Sequence, residues 1–163
     1  MLATANVNGT ITPAAAATIS INDRGFLYGD SIYEVVRTYG GIPFFHEEHL
    51  DRLENSARLA KMRLTQSRTF LKNEILRTVA ASGAAATRTD VFVRYTITRG
   101  ISPLDLDPAV ALETAYIILV KEVPAWNPRF LSEGVNIAIP PTRRNPPLAL
   151  DPNIKSGNYL NNI

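Results

Sequence analysis

A pair of glycines dictates an antiparallel hairpin early in this chain. Ser31 to Thr38 alternates in a strand-like way, with Ile32, Val35, Val36 and Tyr39 as β-formers. Gly40-Gly41 then supplies the positive φ angles of a two-residue turn, and Ile42-Pro43-Phe44-Phe45 returns. From His46 the period lengthens. Leu50, Leu53, Ala57 and Ala60 follow helical spacing, with Glu47 and Glu48 in the first turn where the helix dipole favours acids. Leu71, Ile75 and Val79 predict a second helix over Ser67 to Ser82, stopped at Gly83.

Asp90 to Arg99 reads as a strand with two distinct faces. Phe92, Arg94, Thr96 and Thr98 share one, and Val91, Val93, Tyr95 and Ile97 the other. A loop through Pro103 and Pro108 leads to a strand over Glu113 to Lys121. Pro124 and Pro128 deny both helix and ladder, so 123–134 is predicted to be an interdomain linker. It divides a small N-terminal domain (1–122) from the start of a second (135–163). A strand is expected over Val135 to Ile139. Five prolines between Pro140 and Pro152 then give an extended loop that delivers Lys155. Ser156 to Ile163 reads as the first turns of a helix. One strand and a helix stub cannot close a second core, so the chain is expected to be the front part of a longer protein.

The 163 residues suffice for one ordinary core, or for a small domain plus part of another. A net charge of +2 without a basic cluster argues against nucleic acid or an anionic membrane as partner. The absence of cysteine excludes disulfides and thiolate sites. With only His46 and His49 present, a zinc set cannot be completed, and no metal is expected. The longest apolar run, Ala115 to Val120, is far below the ~18 residues of a spanning helix. No secretory core is evident, and a cytoplasmic protein is expected.

Lys155 is the residue with most chemical promise. A lysine that forms a Schiff base must be a neutral amine at working pH, and partial burial disfavours the ammonium form. A lone lysine in a loop is more often simply solvated. Three blocks of sequence overturn that expectation. Asp23-Arg24-Gly25-Phe26-Leu27-Tyr28-Gly29-Asp30-Ser31-Ile32-Tyr33-Glu34-Val35-Val36-Arg37 resembles the opening signature of the fold-type IV pyridoxal-phosphate enzymes. His49-Leu50-Asp51-Arg52-Leu53 resembles their second block, and Ile154-Lys155-Ser156-Gly157-Asn158-Tyr159-Leu160 their lysine block. That group includes branched-chain and D-amino-acid aminotransferases, R-selective amine transaminases and aminodeoxychorismate lyases.

The resemblance implies an α+β fold in the two-domain fold-type IV architecture, with the small N-terminal α/β domain complete and only the start of the larger one. It implies pyridoxal 5'-phosphate as cofactor, amino acid and 2-oxo acid as substrates, and a homodimer. Lys155 would hold the cofactor as a Schiff base and move the substrate's α-proton. Arg52 would bind the cofactor phosphate, as a planar guanidinium suits two phosphate oxygens. Tyr33 and Tyr28 would line the substrate side, although aromatic packing explains Tyr28 equally well. Arg37 shares the strand face of Tyr33, where it meets either a substrate carboxylate or a structural partner such as Glu34.

Two departures from the family bear on substrate. Arg94 matches an arginine in a Tyr-x-Arg stretch of the branched-chain enzymes, but Phe92 replaces that tyrosine and its hydroxyl. The D-amino-acid enzymes carry Arg-x-His after a Ser-Pro, and here Ser102-Pro103 is followed by Leu104-Asp105-Leu106. The expected activity is amino transfer between an apolar, branched-chain L-amino acid and 2-oxoglutarate. The alternatives are a D-amino-acid or R-amine transaminase with a non-standard pocket, an aminodeoxychorismate lyase, or a non-catalytic cofactor-binding or dimerisation relative.

Overall fold

The computed structural model describes residues 3–163. Strands β1 (Thr4–Val7), β2 (Thr10–Pro13), β3 (Ser31–Tyr39), β4 (Ile42–Pro43), β5 (Val91–Thr98) and β6 (Ala115–Glu122) form one antiparallel sheet. Their spatial order is β2-β1-β6-β5-β3-β4. Helices α1 (Arg24–Tyr28), α2 (His46–Leu59), α3 (Arg68–Ala81), α4 (Ala84–Thr87) and α5 (Arg129–Ser132) complete the regular structure, with short 3-10 turns.

The turns follow local chemistry. Gly40 and Gly41 take φ of 59° and 82°, the left-handed pair a tight hairpin requires. A second such turn, at Asn8 and Gly9 (φ 48° and 94°), joins β1 to β2, a hairpin the sequence reading did not predict. Ser67 caps α3 by accepting a hydrogen bond from the Phe70 N–H, and Gly83 (φ 74°) follows its end.

The two faces of β5 behave as its alternation predicts. Val91, Val93, Tyr95 and Ile97 are buried with Ile32, Val36, Ile118 and Val120 beneath α2 and α3, which contribute Leu50, Leu53, Leu71 and Ile75. Each such side chain removed from water contributes about 1.5–3 kcal/mol before entropy is counted. Phe92, Arg94 and Thr96 lie on the opposite face and are partly or largely exposed, while Thr98 at its end is buried against Gly25 of α1.

The region after β6 departs from expectation in three places. No strand forms over 135–139: Val135, Ile137 and Ile139 are 63%, 86% and 94% exposed. Alternation supplies a strand face, but a ladder needs a neighbour, and no strand among the described residues runs beside this one. The linker is not wholly irregular either, since α5 begins directly after Pro128, whose fixed φ suits a helix start. Instead of a helix over 156–163, Ser156 pairs with β3 and a single 3-10 turn covers Leu160–Asn162. No helix among the described residues is long and apolar enough to cross a membrane.

Candidate active site

The lysine segment docks on the free edge of β3 through one isolated antiparallel bridge. Ser156 lies opposite Ile32, the Tyr33 N–H donates to Lys155 O at 2.9 Å, and the Gly157 N–H donates to Ser31 O at 2.7 Å. The Lys155 N–H donates in turn to Ser56 Oγ on α2, at 3.2 Å. Ile154, one residue earlier, packs against the core. Gly157 makes this pairing sterically feasible, because a Cβ there would lie 2.0 Å from Ser31 Oγ. Opposed residues of an antiparallel pair project to the same face. Lys155 therefore shares the face of Tyr33, and its Nζ sits 4.4 Å from the Tyr33 ring centroid.

Around the sheet edge, α2 presents Arg52. Its Nε and Nη2 donate to the two Glu34 carboxylate oxygens at 2.6 and 2.7 Å, and His49 Nδ1 donates to the same carboxylate at 2.8 Å. Glu34 is fully buried on the helix-covered face of β3, while the Arg52 side chain is half exposed. Burial alone pushes the Glu34 carboxyl up. The hydrogen bonds from Arg52 and His49 outweigh it, so its pKa falls below the ordinary value of 4.5. Glu34 thus stays ionised, fixes the guanidinium plane and leaves Arg52 Nη1 uncommitted.

Of the remaining predicted site residues, the structure brings only Arg94 to Tyr33. Its guanidinium carbon lies 3.7 Å from the ring centroid, so one aromatic ring contacts both Arg94 and Lys155. Arg37 is on the same strand face but stacks on Tyr39 at 4.6 Å, and its alternative partner Glu34 is held by Arg52 instead. Tyr28 lies against Arg24, 4.9 Å from ring to guanidinium, and does not line the lysine cleft.

That cleft encloses about 560 Å³ and is bordered by Arg52, Lys155, Ser156, Tyr159 and Arg144. Arg144 was missed by sequence reasoning, as were Ser56 and the pairing of Glu34. Nothing in the Arg143-Arg144 dipeptide marks one of the two as special. Only the fold shows Arg144 Nη1 donating to Asn161 O at 2.6 Å and so standing beside the lysine segment. Arg24, read as part of a signature, proves to be a buried organiser: it pairs with Asp30 and donates to the Asp105 and Leu106 carbonyls at 2.7 and 3.2 Å. It thereby holds the loop on which Leu104 and Leu106 stand exposed.

The family model for amino-transferase class IV matches residues 31–163, from the first residue of β3 through the lysine segment. The chain belongs to this family. Among class IV aminotransferases and their kin, a Methanocaldococcus jannaschii protein named as a branched-chain-amino-acid aminotransferase is 30% identical over 157 residues, covering 96% of this chain and 52% of that protein. The D-alanine aminotransferase of Listeria monocytogenes is 33% identical over 160 residues, with the same coverage of 96% and 52%. The structure of 4-amino-4-deoxychorismate lyase from Pseudomonas aeruginosa matches with a TM-score of 0.65 and 29% identity, over 80% of this chain and 44% of that one. The chain spans about half the length of the curated relatives it matches. The fold-type IV resemblance read from three sequence blocks is borne out by the class IV match and by these folds.

Proposed function

We propose that this chain carries the lysine of a pyridoxal 5'-phosphate-dependent aminotransferase. The observation that carries the reading is convergence: the Lys155 amine, held over Tyr33, and the Arg52 guanidinium line one cleft although 103 positions separate them in sequence. The donor set fits the cofactor. A primary amine suits an aldehyde, and the free Nη1 of Arg52 suits a phosphate oxygen. Arg144 adds a further positive charge at the same cleft.

When bound, the cofactor supplies the electron sink that makes a substrate α-proton labile. Lys155 Nζ would hold the cofactor and, once released, would take that proton from the substrate α-carbon and pass it on to the cofactor. The Tyr33 ring limits where Nζ travels, since Tyr33 is itself buried in the sheet. Glu34 keeps Arg52 oriented toward the phosphate. Arg94, beside Tyr33, receives the substrate carboxylate. Leu104 and Leu106, 80% and 78% exposed, offer apolar surface for aliphatic side chains. Such contacts discriminate by about 1–3 kcal/mol per methylene.

The favoured substrates are an apolar, branched-chain L-amino acid and 2-oxoglutarate, acting on a homodimer. A second reading, elimination of pyruvate from aminodeoxychorismate, draws support from the Pseudomonas structure and uses the same lysine. Borohydride reduction of the cofactor-loaded protein followed by peptide mapping tests the site, with label expected on Lys155. L-leucine, D-alanine and R-1-phenylethylamine are then compared as donors, with pyruvate release from aminodeoxychorismate as control. Label on another lysine overturns the assignment. D-alanine outrunning L-leucine overturns the substrate choice.

A further inference from the structure

Lys155 reaches the cleft at the end of an irregular segment. Between Ser132 and Leu160 no regular helix or ladder holds the backbone. Sites on loops are less sharply placed than sites on helices or strands, and an error of ~1 Å at a reacting group can cost on the order of 100-fold in rate. The structure supplies two polar anchors at the lysine itself. One is β3, through the Tyr33 N–H to Lys155 O. The other is Ser56, whose fully buried hydroxyl accepts the Lys155 N–H.

We infer that Ser56 is a positioning residue for Lys155. It sits one helical turn beyond Arg52, and residues four apart on a helix share a face. The spacing between the anion-binding guanidinium and the lysine Cα is therefore set by a turn of α2 and not by the proline-rich loop. Ser56 touches no reacting atom. It acts on the angle at which the Lys155 side chain leaves the backbone, and hence on where Nζ meets the substrate. A small hydroxyl suits this place, because Leu53 and Ala57 beside it pack into the core.

This inference rests on Lys155 being the cofactor lysine, so the experiment first maps the borohydride label in the wild-type holoenzyme. Absence of label from Lys155 overturns that reading, and the role of Ser56 with it. With the label in place, Ser56→Ala is expected to lower kcat by about 10-fold while KM changes by less than ~2-fold. The pH midpoint of the bound cofactor's visible absorption should shift by about half a unit, and Ser56→Thr should restore both. The Lys155 amide should also exchange faster with deuterium in Ser56→Ala, with or without cofactor. If Ser56→Ala keeps wild-type kcat and absorption profile, or only unfolds at lower temperature with both unchanged, the inference is overturned. Should the variant not fold, the wild-type Lys155 amide decides: protection supports the anchor, and exchange at the rate of an unfolded peptide overturns it.

Discussion

The Glu34 carboxylate holds Arg52 by two parallel hydrogen bonds, of 2.6 and 2.7 Å, from inside the core. A strand residue and a helix residue 18 positions apart are thus locked in one geometry at the rim of the cleft. The bond joins the buried face of the sheet to the open side on which Arg52 meets solvent, so it serves stability and site geometry together.

Its pH dependence follows from the lowered pKa of Glu34. A depressed carboxyl contributes stability above its unfolded pKa, and the contribution is lost as pH falls through the folded value. Glu34→Gln removes the charge while leaving Arg52 half hydrated, and is expected to cost about 2–3 kcal/mol at neutral pH. Urea unfolding should show that gap at pH 7 and a shrinking one as pH falls through the depressed folded pKa of Glu34, below its ordinary value of 4.5. A gap independent of pH would show that the carboxylate charge is not what holds Arg52.

Arg52 itself should govern cofactor retention. Arg52→Ala is expected to weaken pyridoxal 5'-phosphate binding by at least about 10-fold and Arg52→Lys by less, since an ammonium keeps the charge but loses the fork. Arg52→Ala also strands Glu34, so the double variant with Glu34→Gln separates the two effects. It should recover stability without recovering cofactor affinity, as measured by equilibrium dialysis.

Gly157→Ala tests the edge pairing. The added Cβ would meet Ser31 Oγ at 2.0 Å, so the buried Ser31 hydroxyl must turn away or the two segments must part. Borohydride labelling of Lys155 should fall by about 10-fold. Pairing Gly157→Ala with Ser31→Gly should restore it by removing the opposing hydroxyl. An unchanged labelling rate in the single variant would mean that residues 155–157 are not fixed against β3 in the working protein.

Asn6 should be worth more than its terminal position suggests. It is fully buried, donates to Glu74 Oε2 at 2.8 Å and Thr78 Oγ1 at 3.0 Å, and accepts from the Gly9 N–H at 2.9 Å. The Arg77 guanidinium, together with Asn6 and the Tyr116 hydroxyl, holds the Glu74 carboxyl down at about 2, so the partner stays charged. Asn6→Ala is expected to destabilise by about 2–3 kcal/mol in thermal unfolding, by leaving Thr78 and Glu74 short of a donor. A loss within 0.5 kcal/mol or so would place Asn6 with ordinary surface positions.

Much of the small α/β unit was legible because its signals are local. The Gly40-Gly41 turn, the helical spacing of Leu50, Leu53 and Ala57, and the two faces of β5 need only near neighbours to express themselves. The Asn8-Gly9 hairpin was equally legible by turn chemistry, since Asn-Gly favours the left-handed pair of a two-residue turn, although it was not predicted. The strand expected over 135–139 failed for the opposite reason, since Val135, Ile137 and Ile139 carry the right alternation but have no ladder to join.

For the site, the sequence alone marked the candidates: Lys155, Arg52 and Tyr33 stand in the three blocks that resemble the family's, and Arg94 in a separate, partial match at 92–94. It could not determine their partners. Glu34 lies one residue from Tyr33 yet faces the opposite side of the sheet, where Arg52 and His49 claim it instead of Arg37. Ser56 and Arg144 carry no mark in the chain, and they matter only because α2 and the lysine segment meet at the edge of β3. Turns and periodicities are short-range properties that a sequence carries openly. Which donor finds which acceptor across 99 residues is decided when burial forces every polar group in the interior to be satisfied at once.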